Sequence, residues 1–127
     1  MKILANDGVS QAGIDILTAA GFEVITTNVA QEQVANYINE NSITVLLVRS
    51  ATTARKELID ACLGLKVIGR GGVGMDNIDV EYAREKGLSV INTPAASSAS
   101  VAELVFAHLY GGVRFLHDSN RNMPLEG

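Results

Sequence analysis

The chain has 127 residues, 47% of them apolar, and a formal net charge of −4, which excludes a disordered segment and leaves room for one compact domain with its own core. The acidic balance excludes the clustered basic face that nucleic acid requires, and no apolar run approaches the roughly 20 residues that span a membrane. A single cysteine, Cys62, excludes an internal disulfide.

In chain order, "KILAN" at 2–6 predicts a first strand. Its opening context, "MKILANDG", lacks the layout of a signal peptide, so the expected setting is cytoplasmic. Residues 10–20 predict a helix, with Ile14, Leu17 and Ala20 on one face and Gly21 as its stop. "EVITT" at 23–27 predicts the second strand, and a helix over 30–40 carries Val34, Tyr37 and Ile38. "ITVLLVR" at 43–49 predicts the third strand, followed by a helix over 54–63 capped by Thr53. Cys62 lies in that helix and reads as a small core residue. "LKVIG" at 65–69 predicts the fourth strand, a helix runs over 80–86 between an Asp79 cap and Gly87, and "LSVIN" at 88–92 predicts the fifth. Continuous apolar runs are the mark of parallel strands covered on both faces. Their regular alternation with helices predicts an α/β fold: a flavodoxin-like, doubly wound, parallel five-stranded sheet of order 2-1-3-4-5.

The last helix breaks this pattern. "SVAELVFAHLYGGVRFL" opens with a capping box, Ser100 and Glu103, and is apolar nearly all round. At 1.5 Å per residue it is roughly 25 Å long, more than a sheet of short strands needs. It is therefore expected to belong partly to a second domain or a partner subunit. "HDSNRNMPLEG" then follows as a polar segment with no closing element. His108, in mid-helix, reads as a core or interface residue, and His117 as a cap near a helix C-terminus.

Ligands of open parallel sheets sit beyond the carboxyl ends of the strands. Arg49 and Arg70 terminate adjacent predicted strands about 4.8 Å apart. Two guanidinium groups side by side repel, and the pair suits a carboxylate or phosphate, with Ser50, Thr52 and Thr53 as hydroxyl donors. The competing reading makes each arginine a structural bridge to Asp7 or Asp76. Gly69, Gly71 and Gly74 satisfy G-x-G-x-x-G, but "MDNID" separates them from the next helix and the following strand ends in Asn92, not an acid. The loop reads instead as one whose bare N–H groups, at Gly71 to Gly74, approach an anionic substrate. No nucleophile elbow and no pair of metal-ligating residues at the right spacing occurs, so no metal is expected. A phosphoacceptor receiver has this length and sheet order, but strands three and five end in Arg49 and Asn92 where it needs Asp and Lys.

"LLVRSAT" and "GLKVIGRGGVGMDNIDVEYAREKGLSVINTPAASSASVAELVFAHL" together resemble the N-terminal region of the D-2-hydroxyacid dehydrogenases over about residues 1–116. Within that family the resemblance is nearest to members acting on a phosphorylated 2-hydroxy acid. It implies a two-domain, NAD-dependent oxidoreductase: residues 1–97 as the flavodoxin-like substrate-binding domain, and 98–127 as the long interdomain and dimer helix with the start of a Rossmann domain. By motif, Arg49 and Ser50 match positions contacting the substrate phosphate. Arg70, Gly71, Gly72 and Val73 match the substrate-carboxylate loop, and Val73 also a position against the nicotinamide of NAD. The resemblance further implies a homodimer or higher oligomer through residues 98–117. The family's catalytic arginine, glutamate and histidine, and its true nucleotide-binding glycines, lie farther along than Gly127. No catalytic residue is expected here, and the chain is expected to be inactive alone, as a fragment. The alternatives are another family member, acting on hydroxypyruvate or lactate, or a stand-alone anion-binding module.

Overall fold

The computed structural model describes residues 1–126. Five parallel strands, β1 (Lys2–Ala5), β2 (Glu23–Ile25), β3 (Val45–Val48), β4 (Val67–Arg70) and β5 (Ser89–Asn92), form one sheet in the order β2-β1-β3-β4-β5. Between them run α1 (Gln11–Ala19), a 3-10 turn (Gln31–Gln33) leading into α2 (Val34–Glu40), α3 (Lys56–Ala61) and α4 (Val80–Glu85). The flavodoxin-like α/β reading therefore holds, including its strand order.

Register places Leu4, Leu46, Ile68 and Val90 in one row across four strands. All four are buried and share a core with Val34 and Ile38 of α2, Leu58 and Ile59 of α3, and Ala83 of α4. Cys62 is buried beside them, and burial pushes its thiol up, as befits an inert packed residue. Side chains alternate across a pleated strand, so the next row, Ala5, Leu47, Gly69 and Ile91, faces the other way. That row runs from a fully buried Ala5 to an Ile91 that is 56% exposed. The sheet is thus open on this face toward β5.

Helices α1 and α4 end as the sequence predicts. Gly21 and Gly87 take φ of +86° and +85°, and Phe22 and Leu88 send their N–H groups back to the carbonyls of Leu17 and Ala83. That left-handed turn costs glycine nothing. Two predicted caps are corrected. α3 starts at Lys56, so Thr53 does not cap it; Thr53 exchanges main-chain bonds with the side chain of Gln31. Asp79 is the N-cap residue of α4, as expected, but its carboxylate makes no bond there and instead serves the start of α3, accepting from Lys56 N at 3.0 Å and Arg55 Nη1 at 2.9 Å. A bridge pairing Ala54 with Ile78 brings the two segments together. The Arg55 bond, with the Lys56 N–H, holds the Asp79 carboxyl below its ordinary range.

The chain divides into two compact units, Met1–Thr93 and the stretch from Pro94 onward. Thr93 makes a late tie to the sheet unit, its N–H donating to Gly72 O at 3.1 Å. The second unit holds α5 (Ser98–Val113) and α6 (Leu116–Glu126). α5 begins after Ser97, three residues earlier than the predicted Ser100 cap, and Ser97 makes no side-chain cap. It ends where Phe115 turns left-handed, φ +51°, just after Gly111 and Gly112 weaken the helix. The segment expected to have no closing element is therefore helical over its described residues, 117–126. Its few apolar residues, Leu116, Met123 and Leu125, give too sparse a stripe for periodicity to reveal. His117 consequently lies in the first turn of α6, where a positive charge is disfavoured, and the predicted C-terminal capping role fails. His108 is exposed, as are Val101, Leu104, Val105, Phe106 and Leu109 along α5. No helix among the described residues is long and apolar enough to cross a membrane.

Candidate anion-binding site at the strand ends

A cleft of about 710 Å³ opens at the carboxyl ends of β1, β3, β4 and β5, lined by Asp7 to Ser10, Leu47 to Arg49, Gly69 to Gly71 and Ile91 to Thr93. Its floor is the open row of the sheet. Gly69 leaves space there: a Cβ would stand 2.7 Å from Leu47 Cδ2. Its rim is the loop "RSATT" after β3 and the glycine loop after β4.

The first loop is built on Asp7. Its Oδ2 accepts the N–H groups of Arg49 (2.6 Å), Ala51 (3.2 Å) and Thr52 (3.1 Å), and its Oδ1 accepts the Thr52 hydroxyl. Buried Asn6 donates to that same hydroxyl at 2.8 Å and to Val29 O, and accepts from Val29 N. Thr52 is therefore committed internally and is not the ligand donor the sequence suggested. Burial tends to raise the Asp7 carboxyl, but the Thr52 hydroxyl and the three N–H groups outweigh it and hold it below its ordinary value. A carboxyl with a lowered folded pKa stabilises the fold above the unfolded value and loses that contribution as pH falls through the folded one. Asp7→Asn is thus expected to lower the urea midpoint at pH 7, with the gap to wild type narrowing as pH falls below 3.8. A gap of constant size at pH 7 and pH 3 contradicts it.

Arg49 and Ser50 are exposed at the end of this loop. Among the described residues the Arg49 guanidinium has no hydrogen-bond or ion-pair partner. Arg70 pairs across the ladder with Val48, but its guanidinium folds into its own loop. Nε donates to Arg49 O at 3.0 Å, and Nη1 donates to Gly74 O. Gly72 makes room for this, since a Cβ there would lie 2.6 Å from Nη1. Neither guanidinium pairs with Asp7 or Asp76, so the structural-bridge alternative fails among the described residues.

The glycine loop is less bare than expected. Gly71 N donates to Val48 O at 2.9 Å and Gly72 N to Arg70 O at 3.0 Å. Only the N–H groups of Val73 and Gly74 lack a partner among the described residues. Asn92 Nδ2 holds Val73 O at 2.7 Å, leaving the Val73 side chain 52% exposed. With two of its N–H groups used and the next helix starting only at Val80, this loop is no pyrophosphate cradle. No group of three metal-ligating side chains occurs among the described residues.

Sequence reading missed Asn6 and Asn77. Asn77 Nδ2 bridges Arg49 O (2.9 Å) and Thr52 O (2.7 Å), tying the two rim loops together. Asn6 sits beside Asp7 in "NDG" and Asn77 in "MDNID", so both were visible as polar residues next to strand ends. Nothing in their spacing reveals which backbone groups they bind.

Residues 3–116 match the family model for the D-isomer specific 2-hydroxyacid dehydrogenase, catalytic domain. The chain belongs to this family. Among curated relatives of the 2-hydroxyacid dehydrogenase type, D-3-phosphoglycerate dehydrogenase of Methanocaldococcus jannaschii is 43% identical over 114 residues, covering 90% of this chain and 21% of that protein. Hydroxypyruvate reductase of Thermotoga maritima is 37% identical over 116 residues, covering 91% of this chain and 37% of that protein. Among solved structures, the NAD+-bound 3-phosphoglycerate dehydrogenase of Entamoeba histolytica superposes with a TM-score of 0.71 at 32% identity, covering 90% of this chain and 39% of that one. The chain thus spans about a fifth to two-fifths of the length of these dehydrogenases.

Proposed function

We propose that this chain is the substrate-binding part of an NAD-dependent D-3-phosphoglycerate dehydrogenase, which oxidises 3-phosphoglycerate to 3-phosphohydroxypyruvate in serine biosynthesis. The observation that carries the reading is the unpartnered Arg49 guanidinium beside the Arg70 loop, two cationic positions on adjacent strand ends. A ligand with a phosphate at one end and a carboxylate at the other matches both. Arg49 and Ser50 take the phosphate. Arg70, whose Nη2 has no partner among the described residues, takes the carboxylate with the loop of Gly71, Gly72 and Val73, in which the N–H groups left to donate are those of Val73 and the following Gly74. The Val73 side chain lies against the nicotinamide when NAD is bound. Residues 1–97 act as the substrate domain. Hydride transfer is left to a nucleotide domain outside this chain, which is inactive by itself. Titration calorimetry tests this: the chain should bind 3-phosphoglycerate at least about tenfold more tightly than D-glycerate, the worth of one charge-assisted contact. Equal affinities would favour a second reading, supported by the Thermotoga maritima relative, in which the substrate is an unphosphorylated acid such as hydroxypyruvate.

The exposed apolar side chains of α5 fit a homodimer in which residues 98–117 meet their copies. Sedimentation of the chain should be concentration-dependent, and Leu109→Glu should abolish that dependence. A monomer at all concentrations contradicts it.

A further inference from the structure

The main chain of Arg49 is held by three side chains from different parts of the sheet. Its N–H goes to Asp7 at the end of β1 (2.6 Å), and its carbonyl accepts from Arg70 Nε (3.0 Å) and Asn77 Nδ2 (2.9 Å). Asn77 spends its other amide hydrogen on Thr52 O at 2.7 Å, so both donors grip one loop at two points. Its Oδ1 is left buried without a partner. A buried, unpaired acceptor is costly, and with both hydrogens on carbonyls, turning the amide over would only exchange two good bonds for two repulsions. Asn77 does not line the cleft. Its contribution is made through the backbone of the "RSATT" loop.

We propose that Asn77, together with Asp7, is a positioning residue for Arg49: it fixes both peptide groups flanking the arginine so that a free guanidinium projects from a rigid base. This rests on the reading of Arg49 as the phosphate anchor. An arginine side chain loses much torsional freedom when it grips a ligand. Holding its Cα in place confines that loss to the side chain and sets the direction from which the guanidinium starts. Asp7, at the edge of the cleft, holds the N-terminal side, and Asn77, outside the cleft lining, holds the C-terminal side.

A double-mutant cycle on the 127-residue chain tests this, with 3-phosphoglycerate as the probe and calorimetry as the readout. Asn77→Ala is expected to weaken binding about tenfold when Arg49 is present, and by less than about twofold when Arg49 is already alanine. Wild-type affinity in Asn77→Ala overturns the proposal. So does the same tenfold loss with and without Arg49, which would mark a general loosening of the cleft. If Arg49→Ala itself leaves affinity unchanged, the anchor reading fails first, and that result is distinct from a failure of Asn77 alone. Should Asn77→Ala lose its dispersed amide spectrum, Asn77→Ser and Asp7→Asn enter the same cycle and are judged by the same two outcomes.

Discussion

Arg49→Ala is expected to weaken binding of 3-phosphoglycerate about ten- to a hundredfold while leaving the fold intact. A charge-assisted bond to a phosphate is worth about 1.5–3 kcal/mol, and each 1.4 kcal/mol is tenfold in affinity. The fold survives because the loop is held through the Arg49 backbone, by Asp7, Arg70 and Asn77, and not through its side chain. Arg49→Lys keeps the charge but loses the planar fork, and should fall between the two. Calorimetry gives the affinities, and thermal unfolding should show no more than a small change. An alanine variant that binds like wild type removes Arg49 from the site.

Leu46→Ala is expected to have the largest effect on stability. Leu46 is fully buried on the central strand β3, between Leu4 and Ile68 in register. Truncating such a side chain costs about 2–5 kcal/mol, the lost transfer energy plus the cavity that a rigid surrounding cannot close. For a unit of this size that lowers the melting temperature by roughly 10 °C or more. The consequence reaches the site, because β3 carries Arg49 on its end and fixes the pairing of Val48 with Arg70. A variant melting within a degree or two of wild type would mean that this row is not the core.

The sheet was legible because its determinants are local. Short apolar runs alternate with helical segments, and glycine stops such as Gly21 and Gly87 punctuate them, so a parallel sheet followed from topology rules and the order from the flavodoxin-like form of that pattern. Arg49 and Arg70 were legible for the same reason: a strand end is a position that sequence specifies. What those residues do with their hydrogen bonds was not legible. The bonds of Gly71 and Gly72, the inward fold of the Arg70 guanidinium and the Asn77 bridge all depend on which loop a neighbouring strand brings alongside. Asp79 shows the same effect, since its place before α4 predicts a cap there while tertiary contact gives it to α3. The helix over Leu116–Glu126 escaped because it has neither an apolar stripe nor a capping glycine, and the left-handed turn at Phe115 uses a residue type that carries no such signal.

The most direct test of the two-arginine site is a residue-resolved map of ligand binding by amide NMR of the chain, with 3-phosphoglycerate and D-glycerate titrated in parallel. The expected result is that 3-phosphoglycerate shifts the amides of Arg49 and Ser50 as well as those of Arg70 to Val73, while D-glycerate shifts only the second group. Identical patterns for the two ligands, or 3-phosphoglycerate shifts that spare Arg49 and Ser50, would contradict a site with one arginine for each end of a doubly anionic substrate.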